Sequence, residues 1–332
     1  MKCLSFFIFS AVFIFSSFSS AKETDNLTGR YKTLQDSTEV LDKEMNRRLQ
    51  ELVAEANSDG IACDKSPETF RKIRVLFHEQ NKASFQIGSM ESWAEKNDKI
   101  AKRKASPDGS IYEGVLSKGL IFNNLDLAST IKVNGELIGT DKLGHFIDQG
   151  FERYRYFRER GNRMDVALDG SKGMESSIYG AASTGIVSSA DMMANYHGIL
   201  FYHALVDTNN PYLTCSGGTW SQVRNFTWAD YVDAGWDEGI NCVSVEDAKA
   251  RAIYDKNVSK LEAKAREQGK DQTYRCPVDP EACGKLRSRY SFYETKKGSP
   301  VLSDVCIQVG KSRPARPGNS GGSGTKASGA IK

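Results

Sequence analysis

Apolar residues recur every three or four positions between residues 37 and 59, where Leu41, Met45, Leu49, Leu52, Val53 and Ala56 share one face and Gly60 supplies a stop. This spacing predicts an amphipathic helix. A second helix is predicted from Pro67, a residue suited to a first helical turn, to about Gln80. The period changes over residues 131–138, where Asn134-Gly135 stands between two short apolar runs, the pattern of a two-residue β-hairpin. Thr140 is then the expected cap of a long helix to about Arg160, with Gly161 as its end. Further helices are predicted from Met164 to Leu168 with an extension to Glu175, from Ser188 to Leu205, and from Ser244 to about Gln268, with Asp247 in capping-box position. The aromatic-rich stretch from Trp220 to Trp236 reads as a helix and turn laid on the core, and Phe85 to Asn123 yields no assignment. The sum is a mainly α chain of the α+β class. A helical domain with a small β-hairpin is expected over 22–210, followed by a disulfide-stapled, cysteine-rich C-terminal region over 211–311. The tail over 312–332 has almost nothing to bury and is expected to be disordered.

The first residues place the chain outside the cytoplasm. Lys2 supplies one positive charge, Leu4 to Phe15 is mostly apolar, and Ser16 to Ala21 is small, with Ser19 and Ala21 at −3 and −1 of a cleavage site. This is the layout of a signal peptide over 1–21, and the mature protein is expected to be secreted or periplasmic. The apolar run is shorter than the roughly 20 residues of a spanning helix, and no later segment is more apolar, so no mature transmembrane segment is expected. Of the 7 cysteines, Cys3 falls in the leader. The remaining Cys63, Cys215, Cys242, Cys276, Cys283 and Cys306 make an even set, which in an exported chain favours disulfides. Cys276 and Cys283, flanked by Pro277, Pro280 and Gly284, suit a small local loop. Zinc is disfavoured, because no C-x-x-C pair occurs and no histidine follows Cys215. The formal net charge of +3 is small for this length and does not suggest a nucleic-acid partner.

Candidate chemistry is concentrated between Asp141 and Asn195. Asp141 and His145 are four residues apart on one predicted helix, with Gln149 next on that face and Gly150 beside it. Glycine inside a helix costs about 1 kcal/mol relative to Ala, so Gly144 and Gly150 mark a close approach by a backbone or a ligand. The helix from Ser188 carries Asp191 and Asn195 at the same spacing, with Gly198 and Tyr202 continuing the face. Glu175 lies in the small-residue segment between the two helices. If these helices pack together, Glu175, Asp141, His145 and Asp191 become candidate catalytic groups, and Lys142, Asn195 and Tyr202 candidate binding groups. Each also has a plain structural reading. Asp141 suits the helix dipole, Asp191 suits the N3 place of a capping box, and His145 suits a hydrogen-bonded core histidine.

The run Asp141-Lys142-Leu143-Gly144-His145-Phe146, then an acidic residue, then Asp191 to Gly198 resembles the VanZ-like pattern: D-K-x-x-H-F, a glutamate, and D-x-x-x-N-x-x-G. The resemblance covers about residues 140 to 200. It implies a polar site at the bacterial envelope, where VanZ-like proteins are implicated in glycopeptide-antibiotic resistance. It departs in that those proteins are integral to the membrane. Glu175-Ser176 with Gly180-Ala181 and Gly185-Ile186 is also similar to the lytic transglycosylase pattern, which implies Glu175 as an acid. The glutamine that closes that pattern is absent here.

Three functions are compatible with these residues. The first is an envelope hydrolase acting on peptidoglycan or a related glycan, with one carboxyl as acid and a second as base or nucleophile. The second is a metal-dependent hydrolase, whose single histidine and several carboxylates would favour Mg, Mn or Ca. The third is a non-enzymatic scaffold or envelope-binding protein, in which Trp220, Trp228, Tyr231 and Trp236 form a packing or carbohydrate-stacking surface. The residues leave the cofactor open and assign no metal ligand. The partner expected is a cell-wall glycan or another envelope component. A serine triad is not supported, since the only G-x-S-x-G match begins at Gly318 in the tail, away from any strand–turn–helix.

Overall fold

The computed structural model describes residues 22–82, 89–115, 127–168, 186–245 and 247–290. The leader, Glu175, Cys306 and the tail over 312–332 lie outside the described residues.

The fold is mainly α with small antiparallel β pairs, as the periodicity predicts. Helix α1 (Thr38–Ser58) buries Leu41, Met45, Leu49, Leu52 and Ala56. α2 (Pro67–Asn81) starts on Ser66, whose hydroxyl accepts from the Thr69 amide. α3 (Met90–Lys96), in the stretch without an assignment, starts on Ser89 in the same way. Strands β1 (Thr130–Val133) and β2 (Glu136–Gly139) pair with Ile131 opposite Ile138. Asn134 and Gly135 between them have φ of 50° and 85°, the paired positive values that a two-residue type I′ turn requires.

The long helix α4 follows at once and has three parts: an α-turn Asp141–Gly144, a π-turn His145–Gln149, and an α-segment Gly150–Glu159. Thr140 does not cap it. That residue is itself helical, and its hydroxyl donates to Glu95. Gly161, at φ 70°, lies just beyond the end of the helix, and a further helical turn covers 164–168. Strand β3 (Ile186–Ser188) leads into α5 (Ser189–Ala204), capped by the Ser188 hydroxyl accepting from the Asp191 amide. Then come the hairpin β4 (Leu213–Ser216) and β5 (Thr219–Gln222), two 3₁₀ turns at Trp228–Asp230 and Ala234–Trp236, β6 (Val243–Val245), α6 (Ala248–Glu267) and α7 (Pro280–Tyr290).

Other expectations are corrected as well. The segment Trp220–Trp236 is a strand end and two 3₁₀ turns, because Thr219, Trp220 and Ser221 alternate exposed, buried, exposed and pair with β4. Ser244 does not open a helix. Val243 and Val245 are buried and pair with β3, which holds Ser244 extended and leaves Asp247 to accept the Lys249 and Ala250 amides. The boundary near 210 does not divide the packing. The Phe146 ring of α4 meets Phe201, Phe226, Trp228, Tyr231 and Trp236 at centroid distances of 5.0 to 6.2 Å, so one aromatic core joins both sides. Trp220, Trp228, Tyr231 and Trp236 are all buried, so they form packing and not an exposed stacking surface.

Disulfides join Cys63 to Cys215 and Cys242 to Cys276, and Cys283 is disulfide-bonded as well. The local Cys276–Cys283 loop is therefore not formed. The first bond spans 152 residues and ties the connection between α1 and α2 to β4. Among the described residues no helix is long and apolar enough to cross a membrane.

The contact between α4 and α5 makes a stability test. A Cβ at Gly198 would stand 2.3 Å from the Phe146 carbonyl oxygen and 2.7 Å from the Gly150 Cα, whereas one at Gly284 in α7 would meet nothing within 4 Å. Gly198→Ala is expected to destabilise by about 1–3 kcal/mol through overpacking. Gly284→Ala is expected to be neutral or to stabilise by about 0.5–1 kcal/mol. Urea denaturation of the two variants checks the contrast, and equal effects would count against this helix contact.

Candidate functional site

The hairpin, α4 and α5 bring a charged cluster into the interior. β2 ends at Gly139, so Asp141 and Lys142 emerge in the first turn of α4, while α5 presents Asp191 and Asn195 across the glycine contact. The Lys142 ammonium is the hub. It donates to Asp141 Oδ2 at 2.7 Å and to Glu238 Oε1 at 2.6 Å, and it lies 2.5 Å from Asp191 Oδ1. Its side chain is 0% exposed. The N-terminal segment contributes Thr24, whose hydroxyl donates to Asp141 Oδ1 at 2.7 Å. Ser188 does double duty, accepting from the Asp191 amide and donating to Glu238 Oε1 at 2.8 Å.

His145 completes the arrangement. Its Nε2 lies 3.2 Å from Asp191 Oδ2, and its Nδ1 lies 3.2 Å from Asn195 Oδ1, while the Asn195 amide nitrogen donates to Gln149 Oε1. A neutral imidazole donates from one nitrogen only. Two acceptors, one at each nitrogen, fit an imidazolium that donates from both. A further carboxyl, Glu91, approaches Gly144, where a Cβ would stand 3.0 Å from Glu91 Oε2, and it pairs with Lys22 at 3.4 Å. Gly144 thus leaves room for a side chain and Gly150 for a backbone.

Burial and charge push the carboxyls in opposite directions. Burial opposes ionisation of Asp191, but His145 and Lys142 beside it prevail and hold its carboxyl well below the usual range. Burial also acts on Glu238. There Lys142 compensates only in part and Asp191 and Asp141 add repulsion, so the carboxyl is pushed up to about 7. Burial acts against the charged form of Lys142 too, yet Asp141, Asp191 and Glu238 raise it well above its ordinary value. Glu91 is also raised, by burial first, with Lys22 opposing.

Of the residues singled out in the sequence, Asp141, Lys142, His145, Asp191 and Asn195 meet here. Tyr202 does not. Its hydroxyl donates to the Ile147 carbonyl at 3.0 Å among Phe77, Phe151 and Phe201. It stands eleven residues beyond Asp191, about 16 Å along the helix axis, too far to share the cluster. Glu175 lies outside the described residues. Glu238, Thr24 and Glu91 come from segments with no polar periodicity, and Ser188 is legible only as the cap of its helix. The one local cue is the pair of adjacent acids Asp237-Glu238 directly after Trp236.

Asp141, His145 and Asp191 can each offer a ligand-type atom within 4.8 Å of the others, the donor set of a candidate cation site. The Lys142 ammonium already stands between the two aspartates, where a bridging cation would sit. Comparison of the chain with protein-family models, with curated proteins and with solved structures finds no match. The case for function therefore rests on this geometry.

Two measurements test the electrostatics. Lys142→Met leaves three buried carboxylates without their cation and is expected to destabilise by about 3–5 kcal/mol in urea denaturation. The pH dependence follows from Glu238. Its folded value lies above its unfolded one, so its contribution is fully present below about 4.5 and is lost as pH rises to about 7. The melting temperature is expected to fall across that window, and Glu238→Gln is expected to flatten the slope. An unchanged slope in the variant would show that Glu238 titrates normally.

Proposed function

We propose that this cluster is the acid–base centre of a hydrolase working outside the cytoplasm, with peptidoglycan or a related envelope glycan as its substrate class. The observation that carries the reading is the pair Asp191 and Glu238 on one ammonium: one carboxyl is held ionised, while the other is pushed to about 7 and keeps a proton near neutrality. Pairs separated in this way are how carboxyl enzymes divide the roles of acid and base. Glu238 is the proton donor to the leaving oxygen, and Asp191 is the ionised partner. His145 orients Asp191 through Nε2, and Asp141 with Thr24 holds Lys142 in place.

Because both oxygens touch Lys142 at 2.5 and 2.6 Å, they are no farther apart than the sum of those distances. A pair held this close on one ammonium favours a retaining route with Asp191 as nucleophile. The envelope part of the reading draws on the leader-like N-terminus, the disulfides, and the resemblance of the Asp141–Phe146 and Asp191–Gly198 runs to the VanZ-like pattern. A metal-dependent hydrolase is the second reading, favoured by the grouping of Asp141, His145 and Asp191.

Incubation of the purified mature protein with peptidoglycan is expected to release reducing ends. Glu238→Gln and Asp191→Asn should each lower the rate about 10²–10⁴-fold, the usual range for a general acid or base, and EDTA should leave it unchanged. The rate should fall as pH rises past about 7, where Glu238 loses its proton. Loss in EDTA with recovery in Mn²⁺ would replace this reading by the metal one. Absence of any cleavage, with Lys142→Met merely unfolding the chain, would make the cluster a structural network.

A further inference from the structure

A second site lies away from the charged cluster. The segment 28–32, the turn over 103–110, the last turns of α6 and the irregular stretch 270–274 enclose a cleft of about 400 Å³. That is within the range of roughly 300–1,000 Å³ typical of small-molecule sites. Lys32, Arg103, Lys104, Lys264 and Lys270 line it, against one carboxylate, Asp108. The whole chain carries a formal charge of only +3, so this is a local concentration and not a general property of the surface. It is also not a helix-end effect. Lys264 sits in the last turn of α6, where cations are ordinary, but Lys32, Arg103 and Lys104 come from two other segments.

Arg103 is built into this cleft. Its backbone exchanges hydrogen bonds with Thr130 of β1 at 2.9 and 3.0 Å, which pins it to the hairpin. Its Nη1 donates to the Gly29 carbonyl at 3.0 Å, in a turn where Gly29 takes the positive φ of 69° that favours glycine. Its Nη2 is buried with no hydrogen-bond partner among the described residues. The guanidinium so fixed adds a permanent positive charge to the wall of the cleft beside the lysines. The cleft also carries an aromatic edge. Tyr31 is 43% exposed, and its ring is fixed by a T-shaped contact to Tyr274 at 5.4 Å and by its hydroxyl donating to the Thr273 carbonyl at 2.6 Å. A rigid, exposed aromatic face beside a cationic pocket offers stacking for the flat face of a sugar ring or a base.

We infer that this cleft binds a ring-bearing phosphate ester, a sugar phosphate or a mononucleotide. The phosphate sits on Arg103 and the surrounding lysines, and the ring lies against Tyr31. This site does not depend on the acid–base reading of the Lys142 cluster.

Calorimetric titration with glucose 6-phosphate, uridine 5′-monophosphate, inorganic phosphate and glucose tests it. At least one ester is expected to bind tenfold or more tightly than inorganic phosphate or glucose, and to weaken as salt screens the lysines. Which ester binds identifies the ring. Lys104→Gln with Lys264→Gln, both exposed positions outside the core, should weaken that ester tenfold or more, as should Tyr31→Ala. Arg103→Gln should do the same if the hairpin still folds, but the lysine and tyrosine variants carry the test without it. Glu238→Gln should bind the ester as the wild type does. Neither ester exceeding inorganic phosphate, or undiminished binding in the double lysine variant and in Tyr31→Ala, would overturn the inference.

Discussion

A buried ammonium is the constraint on which this structure turns. Lys142 has no exposed surface, and the cost of stripping water from its charge is met only when several oxygens surround it at hydrogen-bond distance. Two of the three carboxyls come from distant parts of the chain. Asp141 precedes it in α4, Asp191 is on α5, and Glu238 follows the second 3₁₀ turn. Further contacts hold these segments in place. Thr24 fixes Asp141, Ser188 fixes both Asp191 and Glu238, and the turn around Glu238 is held by the bidentate Arg30–Asp237 pair and the Cys242–Cys276 bond. One charge thus fixes the mutual positions of the N-terminal segment, the two central helices and the C-terminal turns.

The backbone has to make room for this. Gly150 and Gly198 bring α4 and α5 within a distance that no Cβ tolerates, and Gly144 leaves space for Glu91. The π-turn between Gly144 and Gly150 widens the helix where His145, Phe146 and Gln149 leave it. Turns of this kind are less stable than the α-helix and occur often at functional sites. Here one face of the π-turn carries His145 and Gln149 to Asn195, while Phe146 turns its ring into the aromatic core. Polar geometry and apolar packing are therefore set by the same five residues.

Much of this was legible in the sequence, and the rest was hidden for identifiable reasons. The periodicity of Leu41 to Ala56, the Asn134-Gly135 turn and the i,i+4 pairs Asp141–His145 and Asp191–Asn195 are local signals, and the structure keeps each of them. Glycine inside two polar helices did mark a close approach, that of one backbone to another and of a side chain. Glu238 was not legible, because what makes it part of the cluster is a contact across 96 residues with no repeating pattern. Ser244 was misread because local capping chemistry competes with strand pairing. The buried Val243 and Val245 decide that contest through a partner far along the chain. The division at 210 failed for a related reason: cysteine density suggested stapling, while the tryptophans of the same region belong to the core around Phe146.

Two buried histidines in α5 and α4 separate what a fold needs from what it does not. His197 is satisfied by neutral groups: the Trp236 indole donates to its Nδ1 at 2.8 Å and the Tyr290 hydroxyl lies 3.3 Å from its Nε2. Burial lowers its pKa to about 4, and an imidazole that stays neutral at every ordinary pH is a packing element. His145 stands instead between a carboxylate and an amide oxygen, beside an ammonium and two more carboxyls. Well-packed apolar residues often replace such buried ion clusters with no loss of stability and sometimes with a gain. Stability alone therefore gives no reason to hold Asp191 ionised and Glu238 protonated on a single lysine. A donor and an acceptor side by side with their proton affinities set apart are what the proposed acid–base role would draw on, and these two carboxyls differ in that way.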